Sequence, residues 1–131
     1  GPGQRRKMKL FTLAEANELL PAVRKQLETI RQLYARIDRY RPAARAAAEA
    51  SQSGGGMTGG SNYVKALYEV GKHTTELFEM GVQLKDYSRG LIDFPTMRDD
   101  RIVLLCWQLG EKEEIEWWHE IDAGFAGRQP L

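Results

Sequence analysis

The chain has 131 residues, 42% of them hydrophobic, which suits the core of one small domain. Its single cysteine, Cys106, excludes an internal disulfide and a four-cysteine zinc site within one chain. No segment resembles a signal peptide, and no apolar run approaches the ~20 residues that span a bilayer. We therefore expect a soluble, cytoplasmic protein that makes no membrane contact.

Residues 1–7, GPGQRRK, share no pattern with the rest of the chain, so we interpret them as a cloning remnant, with Met8 as the native start. Setting them aside removes three of the 19 basic residues. The remaining 16 then face 18 acidic residues, and the net charge changes from +1 to −2. A globally basic nucleic-acid binder is therefore not expected.

The first predicted element is a long helix over residues 8–50. Thr12 and Glu15 have the spacing of a capping box at its start. Apolar residues then recur at alternating spacings of three and four, as in the seam of a coiled coil. Pro21 lacks the N–H that would bond to the preceding turn, so we expect a kink near it.

Glycine and serine dominate residues 51–61, which predicts a flexible loop. A second helix is predicted over residues 62–87, with the same apolar spacing as the first. The two should form a long antiparallel helical hairpin. Since two helices alone cannot cover both apolar seams, we predict a homodimer in which two hairpins form a four-helix bundle.

The periodicity changes after the second helix. Residues 90–109 read as two short strands joined by the turn TMRDD, which is a β-hairpin. Residues 112–122 read as a short C-terminal helix, and residues 123–131 as a glycine-rich tail. The predicted fold is mainly α, in a single domain over residues 8–131.

Six stretches occur together in the order LFTLAEANELLP, GVQLKD, GLIDFP, LCWQLGE, WWHE and GFAGRQPL. With them the chain resembles, from about Lys9 to Leu131, an uncharacterised bacterial family, domain of unknown function 2203. The resemblance implies no reaction, cofactor or partner. It does imply a polar pocket near the β-hairpin, formed by the family's characteristic residues Lys85, Asp86, Asp93, Trp107, Glu111, His119 and Arg128.

On the predicted C-terminal helix, Glu116 and His119 lie one turn apart, and Asp122 borders the same stripe. Carboxylate metal sites in helical bundles use this Glu-x-x-His spacing. We therefore consider a divalent metal site at these three residues. The alternative is structural: the His119 ring hydrogen-bonds to a carbonyl or a carboxylate and orients the helix.

The remaining candidates have structural interpretations of their own. Cys106 lies among apolar neighbours and reads as a buried, inert thiol. Lys85 and Arg89 read as helix-end charges or as a clamp for an anion. No oriented nucleophile is visible, which disfavours an enzyme.

Two functions therefore stay open. One is a homo-oligomeric interaction or regulatory module that has a protein partner. The other is a metal- or small-ligand-binding protein.

Overall fold

The computed structural model describes residues 8–50 and 60–131, so the predictions for residues 1–7 and for most of the 51–61 loop lie outside that part of the chain. Two helices precede five strands: α1 (Leu13–Ala50), α2 (Gly60–Glu79), β1 (Gln83–Asp86), β2 (Leu91–Arg98), β3 (Arg101–Gln108), β4 (Trp117–His119) and β5 (Gln129–Pro130). Within the described residues, no helix is both long and apolar enough to cross a membrane.

Helix α1 begins with the predicted capping box, which is confirmed. The Thr12 N–H donates to the Glu15 carboxylate at 2.9 Å, and the Glu15 N–H donates to the Thr12 hydroxyl at 3.0 Å. The bond from the Thr12 N–H, together with a smaller contribution from the Thr12 side chain, lowers the pKa of the Glu15 carboxyl. The helix is not interrupted at Pro21. Buried Leu20 and Val23 hold the turns around the proline against the core, which offsets the one hydrogen bond that proline removes.

Helix α2 ends at Glu79, and the prediction that it continues to residue 87 is wrong. Gly81 has a φ of 88° and donates its N–H to the Phe78 carbonyl at 3.0 Å, while the Val82 N–H donates to the Leu77 carbonyl at 3.1 Å. This pair of bonds is a Schellman motif, which stops a helix. The chain leaves it as strand β1.

The five strands form one antiparallel sheet in chain order. The turn between β2 and β3 is the pair Asp99 and Asp100, which have φ values of 49° and 63°, as in a type I′ turn. The segment predicted as an isolated β-hairpin is therefore the centre of a larger sheet. Both edges of this hairpin are paired, one with β1 and one with β4. A lone hairpin would leave the backbone N–H and C=O groups of both edges without strand partners.

The predicted helix over residues 112–122 is wrong, because Trp117–His119 is strand β4 at the edge of β3. The apolar spacing favoured a helix in which these residues share one buried face. They do not share one, since Ile121 is 60% exposed. Ile115 is buried, and its N–H donates to the side-chain oxygen of Asn17 at 2.8 Å. This bond fixes the segment before β4 against α1.

One face of the sheet packs on the helices. It supplies Ile92, Phe94, Val103, Leu105, Trp107 and Trp118 to the same core as the buried residues of α1. Leu33, Ile37, Ala66 and Val70 form a second cluster between α1 and α2. Because the sheet covers the apolar side of the helices, no second hairpin is needed there. The mainly α fold and the four-helix bundle are therefore wrong.

Candidate metal centre

The face of the sheet that points away from the helices holds a polar cluster. In the strand register, Asp93 of β2 pairs with Cys106 of β3, and His119 of β4 pairs with Leu104 of β3. Side chains alternate between the two faces of a sheet, so residues 104 and 106 lie on the same face as their partners. Asp93, Cys106 and His119 therefore meet on this face, from three successive strands.

The three side chains are buried, with exposed fractions of 1% for Asp93, 1% for Cys106 and 2% for His119. A carboxylate oxygen, the thiol sulfur and a ring nitrogen all lie within 4.8 Å of one another. Among the described residues, this is the one group of three potential metal ligands so close together. Such proximity of three different donor types lets one ion contact all of them after small side-chain movements.

The two ring nitrogens of His119 have different partners. Nδ1 lies 2.7 Å from the carbonyl oxygen of Glu120, and since a carbonyl only accepts, Nδ1 carries a hydrogen. Nε2 lies 3.0 Å from Oδ1 of Asp93. If the ring is neutral, the Nε2 lone pair faces a carboxylate. This contact therefore needs a proton on one of the two atoms or a metal ion between them.

Cys106 is a thiol in the metal-free protein. Burial raises its pKa to about 12, and the neighbouring Asp93 carboxylate adds to the shift by charge and by a hydrogen bond from the thiol. The positive charge of Arg128 acts in the opposite direction. Near neutral pH this sulfur is therefore unreactive unless a cation displaces its proton.

The cluster stays electrically neutral when a divalent ion replaces two protons. With one proton shared between Asp93 and His119 and a second on Cys106, the cluster sums to zero charge, and so do imidazole, carboxylate, thiolate and a divalent cation. An uncompensated buried charge costs several kcal/mol, so this balance favours a divalent ion over a monovalent or trivalent one. Thiolate, imidazole and carboxylate together are zinc ligands, whereas magnesium and calcium prefer oxygen alone.

A cavity of about 150 Å³ opens onto the cluster. Asp93 and His119 form part of its wall, and the rest is Lys85, Leu91, Leu104, Ile121, Gly124 and Phe125. Ile121, Gly124 and Phe125 belong to the C-terminal segment, which lies across this face of the sheet. Space beside two of the three potential ligands is what a metal site with an open coordination position requires.

The C-terminal segment is fastened next to the cluster by an ion pair. The Arg128 guanidinium donates through Nη2 to both carboxylate oxygens of Glu111, at 2.9 and 2.8 Å. It also lies 5.0 Å from the ring centre of Trp117 and 4.7 Å from that of Phe125. The Arg128 side chain is only 9% exposed, so the pair is largely shielded from water.

The structure brings some of the residues predicted for the pocket together and separates others. Lys85, Asp93 and His119 line one cavity. Asp86 instead accepts hydrogen bonds from Ser88 and from the N–H of Arg89, which lower its pKa. Trp107 lies in the core on the helix side, where its ring N–H donates to the Lys112 carbonyl at 2.8 Å.

The predicted helical metal set is not gathered at one place. Glu116 is exposed and lies 3.7 Å from the Lys112 ammonium, and Asp122 is exposed in a turn. Glu116 and His119 are three residues apart along an extended segment, which directs their side chains to opposite faces. His119 meets Asp93 instead.

Sequence reasoning missed Cys106, which it interpreted as inert. The missed signal is the turn: if Asp99 and Asp100 form a two-residue hairpin loop, the register places Asp93 opposite Cys106. The predicted turn TMRDD has five residues, so it did not give this register.

A family model described as "Uncharacterized conserved protein (DUF2203)" matches residues 9–131, which confirms the resemblance found in the sequence. Comparison with curated proteins and with solved structures gives no match.

Proposed function

The chain belongs to this family of uncharacterized conserved proteins, and we propose that it binds a divalent transition-metal ion, with zinc as the best fit. The ligands are a carboxylate oxygen of Asp93, the sulfur of Cys106 and Nε2 of His119. The observation that carries the proposal is the meeting of these three buried atoms within 4.8 Å of one another.

The orientation of the His119 ring supports this assignment. Metal-bound histidines usually donate their second ring N–H to a carbonyl or a carboxylate, which fixes the tautomer and aims the other nitrogen at the ion. The Glu120 carbonyl accepts from Nδ1 in this way and leaves Nε2 directed at Asp93.

Elemental analysis tests the proposal. Tag-free protein would be purified without chelator or nickel resin, incubated with zinc and desalted, beside the variants Cys106→Ala, His119→Ala and Glu116→Ala. We expect about one zinc per chain in the wild type and in the Glu116 variant, and loss of zinc in the other two. Zinc that persists without Cys106 and His119, or depends on Glu116, would refute this ligand set.

A second proposed function, self-association, is supported by the outer surface of α2. Val64, Tyr68 and Phe78 are 62%, 72% and 61% exposed, and Leu67 is also exposed. At 100° per residue these side chains fall with Gly71 and Thr75 in one stripe about 100° wide, on the side away from the α2 core residues. We propose that this α2 stripe binds the same stripe of a second copy.

We propose that the two stripes pair in an antiparallel arrangement centred on Gly71, so that residue 72 of one copy faces residue 70 of the other. No described atom outside the helix lies within 4 Å of a Cβ built at Gly71, so this position is sterically free to receive a partner.

Cysteine cross-linking tests the dimer. Gly71→Cys places two cysteines beside the twofold axis, so mild oxidation should give a covalent dimer. Lys65→Cys is the matched control, because its two copies would lie about 18 Å apart along the helices. Buried Cys106 should not react. A monomer in light scattering at micromolar concentration, or equal cross-linking of both variants, would refute the proposal.

A further inference from the structure

The residues that line the cavity beside Asp93 and His119 restrict which ligands can bind in it. Apart from those two residues, Lys85 is the one charged residue of its wall, and the rest is apolar or glycine. The apolar side chains are those of Leu91, Leu104, Ile121 and Phe125. A ligand at this place in the metal-loaded protein meets an apolar collar, one ammonium group and the open position of the ion.

The charges favour a monoanion. Asp93 and a Cys106 thiolate offset both charges of a divalent ion, so Lys85 is the one charged group of the wall that they do not offset. Its side chain is exposed, so solvent screens part of its positive charge. A second cation lies just outside, because the Arg89 guanidinium is 4.1 Å from the ring centre of Phe125. An anion with one negative charge therefore offsets the charge of Lys85 and is also attracted by Arg89, whereas a cation would be repelled.

The size of the cavity and its apolar collar restrict the class of anion further. A cavity of about 150 Å³ has room for only a few heavy atoms, since a water molecule in the liquid occupies about 30 Å³. Phosphate would place several oxygens against leucine, isoleucine and phenylalanine side chains, where their hydration is lost without replacement. A short carboxylate instead presents its oxygens to the metal and Lys85, and its carbon atoms to the collar.

We propose, resting on the metal site proposed above, that this cavity binds a small carboxylate anion, with a carboxylate oxygen at the open metal position and Lys85 as the partner of its negative charge. Lys85 then determines specificity without being a metal ligand. The C-terminal segment from Ile121 to Phe125 forms the outer wall of this anion site.

Cobalt(II) provides the test, because its visible spectrum reports both a bound thiolate and a change in the remaining ligands. Cobalt-loaded protein would be titrated with sodium acetate and, separately, with phosphate at constant ionic strength. The variants are Lys85→Gln and the control Lys112→Gln, whose side chain is 81% exposed beside Glu116. We expect a saturable spectral change with acetate, weakened about fivefold by Lys85→Gln and unaltered by Lys112→Gln.

The outcomes separate this inference from the metal site. A cobalt–thiolate spectrum that acetate does not alter would overturn the anion site and leave the metal site standing. Tighter binding of phosphate than of acetate would overturn the carboxylate class, and equal affinity in Lys85→Gln would overturn the role of Lys85. A protein that shows no cobalt–thiolate band would refute the metal site, and this inference with it.

Discussion

Nε2 of His119 lies 3.0 Å from Oδ1 of Asp93, although the two residues belong to strands that are not neighbours. Strand β3 separates them and contributes Cys106, so the cluster runs across three strands of the sheet. Each strand supplies one donor from a rigid backbone ladder. This placement would position the ligands of the proposed metal site more precisely than loops of the same composition would.

Replacement of Asp93 by asparagine should separate folding from metal binding. The side-chain amide of Asn can donate a hydrogen bond to Nε2 of a neutral His119, so Asp93→Asn should keep thermal stability close to that of the wild type. It removes the negative charge that the ion needs, so the zinc affinity should fall by at least about tenfold. Calorimetric titration with zinc and a thermal melt measure the two effects. Equal zinc affinity in both proteins would exclude Asp93 as a ligand.

The stability of the metal-free protein should decrease in alkali because of Cys106. Its pKa is about 12 in the folded chain against an ordinary 9.0, so between these values the unfolded chain loses a proton that the folded chain keeps. Stability from this group is therefore complete below pH 9 and is lost as the pH rises toward 12. Denaturant unfolding at a series of pH values, with chelator present, should show a shallower decline in Cys106→Ala. Parallel pH profiles for the two proteins would contradict the raised pKa.

The two arginine–glutamate pairs at the C-terminal end should differ in their contribution to stability. Arg128→Met leaves the carboxylate of Glu111, which is 21% exposed, with the Gln108 N–H as its remaining partner, which should cost about 2 kcal/mol of unfolding free energy. Arg101 bonds to Glu120 at the exposed surface, so Arg101→Met should have a small effect. Urea unfolding of the two variants measures both values. A larger loss in the Arg101 variant would show that the Glu111 pair does not fasten the segment.

Two glycines should respond to alanine in opposite directions. Gly81 has a φ of 88°, and a Cβ there would lie 2.9 Å from the Lys9 Cβ, so Gly81→Ala should destabilise the fold by about 2 kcal/mol. Gly71 lies inside α2 with free space around it, so Gly71→Ala should stabilise by about 0.5–1 kcal/mol. Melting curves recorded at low protein concentration compare the two. A stable Gly81 variant would mean that the helix stop tolerates a side chain.

The first half of the fold could be predicted from local pattern. The capping box and the apolar spacing of α1 identify residues such as Leu20, Val23, Leu27 and Ile30, all of which are buried. This succeeds because helix periodicity and caps are properties of neighbouring residues. The end of α2 was missed because Gly81 fitted the apolar stripe, and a left-handed conformation at glycine is not visible in spacing alone.

The full sheet could not be predicted from the spacing of apolar residues, because it forms by pairing between segments that are distant along the chain. Strand β4 has only three residues and pairs with the edge of β3. Its two tryptophans favour a strand, but the run is too short, and the residues around it too acidic, for spacing alone to predict one. The family resemblance already pointed to Asp93 and His119. Cys106 could not join them until the register of β2 and β3 was known, since its apolar neighbours are those of any core thiol.

X-ray absorption spectroscopy at the zinc edge, on wild-type protein loaded with one equivalent of zinc, tests the central claim most directly. The ligand set predicts one sulfur at about 2.3 Å and nitrogen or oxygen neighbours at about 2.0–2.2 Å. In Cys106→Ala the sulfur contribution should vanish. Zinc surrounded only by nitrogen and oxygen in the wild type, or no bound zinc at all, would contradict a metal site built from Asp93, Cys106 and His119.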